Sequence, residues 1–250
     1  MRIKFKFNSQ YKYDVDVTPS RVAVWEHYQP YINGDGIFNL YDKDQFVSKG
    51  SSLSKKLRFE SLHNNLASRI RSYRAQGEAR GESFCAVECG AGEALDSARL
   101  IATMMQRSGI KAKSFDVYDT FEGLPGSAFQ PGLSNLKGLF SGSLQKFNDE
   151  MSGFDFVVPI KGLIPDSLQV EDPKKYDFVH IDLDLYEGTI GALHHFYPRL
   201  KKMGIIQLDD YNTNPWVGVN KAVEEYLSGL VPNTFVFNSI PLGGAFIVKI

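Results

Sequence analysis

From Phe84 onward the apolar residues fall into short blocks that alternate with amphipathic stretches. Phe84-Cys-Ala-Val-Glu88 predicts a strand that runs into the glycine turn Cys89-Gly90-Ala-Gly92-Glu93. A helix follows from Ala94 to Ser108, with Leu95, Ala98, Ile101, Ala102 and Met105 on one face and Gly109 as its stop. Further strands are predicted over Ser114–Tyr118, ending at Asp119, and over Phe154–Ile160, ending at Lys161-Gly162. Two more cover Tyr176–Asp182 and Gly204–Asp209. Thr234–Asn238 and Ala245–Lys249 form a closing hairpin around Pro241 and Gly243-Gly244. Upstream, Leu57, Leu62, Leu66 and Ile70 recur at helical spacing over Leu57–Tyr73. The first 60 residues hold no steady period. The alternation in Met1–Phe7 reads as a strand, and turn signals stand at Asn33-Gly-Asp-Gly36 and Lys49-Gly50.

Strands alternating with helices predict an α/β fold: a doubly wound, mostly parallel sheet, seven-stranded once the hairpin is included. The antiparallel pair at the end departs from a plain dinucleotide-binding fold. It is the architecture of class I S-adenosylmethionine (SAM) methyltransferases. Residues 1–60 are expected to be an N-terminal decoration or lid, and residues 61–250 the main domain.

The apolar share of 43% is ample for a core, and the formal net charge of -1 gives no general attraction to nucleic acid or an anionic membrane. No apolar run reaches membrane-span length, and the N-terminus lacks the apolar block of a secretory signal. Cys85 and Cys89, four apart on one strand, would sit about 13 Å from each other at ~3.3 Å per residue, too far to bridge. They read as buried thiols in a reducing, cytoplasmic compartment.

Two strands end in carboxylates: His180-Ile-Asp182-Leu-Asp184 and Leu208-Asp209-Asp210-Tyr211. On neighbouring strands, Asp182, Asp209 and Asp210 would share one rim, which is costly unless a cation sits among them. An all-oxygen donor set favours a hard ion such as Mg²⁺. At the first strand-to-helix turn, Glu88, Gly90 and Gly92 are candidates for SAM, with backbone approach at the glycines and Glu88 near the charged methionyl end. The alternative is a tight turn without a ligand. Asp119, at the end of the second core strand, would accept hydrogen bonds from ribose hydroxyls. Thr120 and Phe121 stand beside it, and Gly162 would flank the purine. Asp116 falls inside the strand. His180 is expected to pair with backbone, and at least one of His194 and His195 to face solvent. Tyr186, Tyr211 and Trp216 flank the acidic rim and are assigned to acceptor binding, with aromatic packing as the alternative. Lys55, Lys56, Arg69, Arg71 and Arg74 are expected to form a solvated basic face.

Asp119-Thr-Phe-Glu-Gly-Leu-Pro125, the run His180–Thr189 and Asp209-Asp210-Tyr211 resemble macrocin O-methyltransferases, and the likeness runs in order over residues 84–228. Leu183 stands where that family leads one to expect glycine. The resemblance implies a SAM- and Mg²⁺-dependent enzyme that methylates a hydroxyl of a sugar or glycosylated natural product. It implies Asp182, Asp209 and Asp210 as metal ligands and Asp184 as general base, with Asp182 also near the cofactor. A homo-oligomer is in keeping with such a family, and residues 1–60 offer a contact for it. The rival readings are a phenol, catechol, lipid-linked glycan or amine acceptor, a non-catalytic SAM-fold module, and an NAD-dependent dehydrogenase. The incomplete pyrophosphate fingerprint and the terminal hairpin disfavour the dehydrogenase.

Overall fold

The computed structural model describes residues 2–4, 14–16, 53–127, 133, 136–169 and 171–250. The turn signals at 33–36 and 49–50 lie outside these residues. The chain divides into two compact units, 1–40 and 41–250. In the first, β1 (Arg2–Lys4) pairs antiparallel with β2 (Asp14–Asp16), Ile3 opposite Val15.

The second unit is built on one mixed sheet of seven strands among the described residues. They are β3 (Phe84–Cys89), β4 (Ala112–Asp119), β5 (Val157–Lys161), β6 (Tyr176–Ile181), β7 (Leu200–Leu208), β8 (Phe235–Ser239) and β9 (Ala245–Lys249). Their order is β5-β4-β3-β6-β7-β9-β8. β3 to β7 run parallel, and β9 pairs antiparallel with both β7 and β8. Every residue of β3 and β6 is buried, so these central strands have near-continuous apolar sequences instead of alternating ones.

Five helices of the described residues cover the sheet: α1 (Leu53–Ser72), α2 (Asp96–Arg107), α3 (Leu144–Met151), α4 (Tyr186–Arg199) and α5 (Val217–Ser228). In α1 the residues Phe59, Leu62, Leu66, Ala67 and Ile70 are buried, a stripe at steps of three and four that seats the helix on β6 and β7. The whole predicted apolar face of α2 is buried, and Gly109 beyond it takes φ +64°. Ring contacts of Tyr226 with His194 and Tyr197 join α5 to α4.

Boundaries differ from the sequence reading in two instructive places. The third core strand starts at Val157, not Phe154, because 154–156 form a turn in which the amides of Phe154 and Val157 donate to Met151 and Phe154. β7 starts four residues early, at Leu200. A bulge there, with Met203 at φ +59°, shifts the register between Tyr176 and Phe178. The basic face is also not wholly solvated: Arg69 is 5% exposed and its guanidinium donates to Asp177 at 2.5 Å. Asp177 is itself buried and must be paired, so it draws the arginine inward. Cys85 and Cys89 are buried free thiols. Among the described residues no helix is long and apolar enough to cross a membrane.

Candidate active site

The site lies where the strand order reverses, between β3 and β6, the place where open α/β sheets hold ligands. β3, β6 and β7 end level, with Cys89 opposite Ile181 and Ile181 opposite Leu208. The next residues are held by the same ladder: Asp182 N–H donates to Cys89 O at 2.8 Å and Asp209 N–H to Ile181 O at 2.9 Å. Gly90 N–H closes the other side on Tyr118 O at 2.8 Å. Gly90 has φ +90°, and a Cβ there would lie 1.8 Å from the Asp182 carbonyl oxygen, so only glycine lets the two strand ends approach.

A cavity of about 300 Å³ opens at this point. Gly90, Gly92, Asp119, Thr120, Gly162, Asp182 and Asp184 line it, as do Leu163, Leu183 and Glu187. A Cβ on Gly92 would meet nothing within 4 Å, so its backbone faces open space. Asp119 Oδ2 accepts from the amides of Ala91 (2.7 Å) and Gly92 (3.1 Å), and Oδ1 from Phe121 N–H at 2.6 Å. The acid therefore fixes the glycine turn from the end of β4. Thr120 donates to Gly123 O at 2.9 Å. Phe121 turns away from the lining and is buried with its ring 5.6 Å from that of Phe147.

Glu88 is also outside the cavity. It is fully buried, and its Oε1 lies 3.0 Å from His180 Nδ1. The alternation of strand side chains sends Glu88 across the sheet to His180, its register partner on β6, and not toward a ligand. The same contact corrects the expectation for His180, which pairs with carboxylates and not backbone; its Nε2 faces Asp209 Oδ1 at 3.9 Å. Burial alone would lower the His180 pKa. Asp209 and Glu88 outweigh it and push the value up to about 10. His194 is exposed and His195 buried.

The four aspartates converge. Oxygens of Asp182, Asp184 and Asp210 lie within 4.8 Å of one another, and Asp182 and Asp209 form a second such group with His180. Burial, then the charges of Asp209 and Asp210, hold Asp182 well above the usual carboxylate range. Asp210 is raised likewise by burial and by Asp184 and Asp209. Asp184, at φ +60° in the left-handed region, is pushed up to about 7 by burial and by Asp182. Asp209 is the exception. Burial pushes it up too, but His180 and Arg58 prevail and its pKa lies below normal.

Arg58 is the site residue that the sequence did not single out. Its Nη1 donates to Asp209 Oδ2, to Asp210 Oδ1 at 3.1 Å and to the Asp209 carbonyl at 3.3 Å. Nothing local marked it, since its partners lie some 150 residues away. Tyr186, Tyr211 and Trp216 are all absent from the cavity lining. Tyr186 Oη donates to Glu225 at 3.1 Å. Tyr211 is buried against Phe237, rings 5.3 Å apart, and Trp216 packs on the core.

Two cations thus serve Asp209 and Arg58 also reaches one oxygen of Asp210, while Asp182 and Asp184 have no ion pair among the described residues. Asp210 Oδ2 is buried without a hydrogen-bond partner among the described residues. This donor set, all carboxylate and proton-hungry, suits a hard divalent ion.

Residues 87–229 match the family model described as macrocin-O-methyltransferase (TylF). The solved structure of the O-methyltransferase NovP superposes with a TM-score of 0.64 at 19% identity, covering 77% of this chain and 79% of that one. CalS11, a calicheamicin methyltransferase, gives 0.56 at 19% identity over 94% of each chain. A separate apo structure of CalS11, there described as a TDP-rhamnose 3′-O-methyltransferase, gives 0.51 at 16% identity, covering 94% of this chain and 96% of that one. No curated protein matches the chain in sequence. At these identities the structural likeness establishes the shared fold.

Proposed function

The chain belongs to the macrocin O-methyltransferase family, and on that premise we propose that this O-methyltransferase moves a methyl group from SAM to a hydroxyl of a sugar or glycosylated natural product, with Mg²⁺ at the acidic rim. The observation that carries this reading is the meeting of Asp182 and Asp184, which line a glycine-walled cavity, with Asp210 behind them. CalS11, a TDP-rhamnose 3′-O-methyltransferase, makes a deoxysugar hydroxyl the first acceptor to try.

SAM, when bound, supplies an already activated methyl on a sulfonium. The backbone at Gly90 and Gly92 would take the close approach of that molecule, and Asp119, at the cavity lining, would hold its ribose. Leu163 and Gly162 wall the cavity where an adenine would lie. Mg²⁺, when bound, supplies Lewis-acid polarisation of an acceptor hydroxyl. Asp182 and Asp210 would hold it together with Asp209. Asp184, which lines the cavity beside this rim, would take the hydroxyl proton on its carboxylate. Leu163, Leu183 and Leu185 make much of the cavity apolar and keep water from the transfer.

The test is calorimetric binding of SAM and, separately, NAD, followed by turnover with TDP-rhamnose read as methylated product by mass spectrometry. SAM should bind and NAD should not. NAD binding in its place would overturn the reading, and full turnover after chelation would remove the metal from it.

A further inference from the structure

Arg58 stands on the second turn of α1, the helix packed on β7 and β6, and reaches the acidic rim at Asp209 and Asp210. Its side chain is 17% exposed, so its contacts are partly shielded from water. All its bonds to the two carboxylates run through Nη1, and its buried Nε has no hydrogen-bond partner among the described residues. A guanidinium usually grips carboxylates through a two-nitrogen fork, so this is a partial hold. It covers Asp209 Oδ2 and Asp210 Oδ1 and leaves Asp210 Oδ2 buried and unsatisfied. A divalent ion bound by the same carboxylates would need oxygens at about 2.0–2.1 Å. It would also bring two positive groups within a few ångströms of each other at a partly buried place, where repulsion is strong.

We propose that Arg58 competes with the divalent ion for Asp209 and Asp210, and that metal binding displaces its guanidinium from the pair. The inference rests on the metal reading above. In the metal-free protein Arg58 partly neutralises crowded carboxylates that would otherwise repel one another. The start of α1 is tied down nearby, Ser54 Oγ donating to Leu242 O at 2.7 Å and Lys55 pairing with Asp96 at 2.9 Å. Release of Arg58 therefore loosens one of the ties, among the described residues, between the first turns of α1 and the rest of the unit. By linkage, whatever holds Arg58 on the pair weakens the metal, and the metal weakens that tie in equal measure.

Mn²⁺ binding, followed by the electron paramagnetic resonance of the free ion, tests this on the full chain, on Arg58→Gln, on Arg58→Lys and on Asp182→Asn. Arg58→Gln should bind Mn²⁺ between about 5 and about 100 times more tightly than the parent, the usual span of such coupling. Arg58→Lys, with a point charge in place of the fork, should gain less. Equal or weaker binding in Arg58→Gln overturns the competition while leaving the metal reading intact. Absence of binding in every protein, or undiminished binding in Asp182→Asn, overturns the metal reading and the competition with it. The parent supplies a check free of folding defects: Mn²⁺ should speed amide exchange over residues 53–60, and unchanged exchange there overturns the displacement.

Discussion

Asp210 carries more of the site than its neighbour Asp209, because it is the buried acid with a bare oxygen. Replacing it should separate the two halves of the chemistry. Asp210→Ala is expected to lower methyl transfer by at least about 100-fold, the cost of a misaligned acceptor. SAM affinity should persist, since Asp210 is absent from the cavity lining. Single-turnover rates and calorimetric SAM binding on the same variant check both halves, and a loss of SAM binding would contradict the division. Asp182, Asp209 and Gly90 were legible in the sequence because they stand where an apolar run ends, and Asp184, Asp210 and Gly92 because they follow within two residues. Glu88 was misread for the converse reason. It too ends a short apolar run, but the strand continues one residue further, and side-chain alternation sends it to His180. Arg58 was illegible: its role depends on a helix docking on strands far along the chain.

At the level of elements, the turn after β3 and the end of β6 form one unit. Gly90→Ala would drive a methyl group into the Asp182 carbonyl and strain a backbone at φ +90°. The variant should lose roughly 2–4 kcal/mol of stability, in the range of overpacking and backbone strain combined. Gly92→Ala, at φ +61° with open space around it, should lose about 1 kcal/mol. Thermal or denaturant unfolding of the pair ranks them, and equal losses would refute the close-approach argument. Strands and helices were read well where period and punctuation agree, as at α2 with Gly109 behind it. The bulge that lengthens β7 was invisible, since Lys201 to Gly204 carry no strand pattern and have no register partner on β6, and only Leu200 opposite Tyr176 extends the strand. Tyr186, Tyr211 and Trp216 lie beside the rim in sequence, yet their rings turn to packing and to acids of α5.

For the whole molecule, the buried pair of His180 and Glu88 ties stability to pH. The folded pKa of His180, about 10, lies above the ordinary value of 6.5. The protonated ring therefore contributes stability that is complete below about pH 6.5 and is lost as pH rises toward 10. In metal-free protein the midpoint of thermal unfolding should fall between pH 7 and pH 9 from this source, and His180→Asn should flatten that part of the profile. An unchanged slope in the variant would assign the effect elsewhere. The doubly wound architecture and its closing hairpin were readable from the order of elements alone. The acceptor was not, because the wall of the cavity beyond Asp119 is drawn from loops whose positions no local pattern fixes.

The level ends of β3, β6 and β7 have one more consequence. Asp182 and Asp209 are the first residues past β6 and β7, each stitched to the neighbouring strand by a main-chain bond, and Asp184 and Asp210 follow within two residues. That arrangement leaves Asp182 and Asp209 little slack. A chain that has not zipped its central ladder to the last rung has no partial centre. The approach of Asp182 to Asp209 thus arrives in the same cooperative event as the fold.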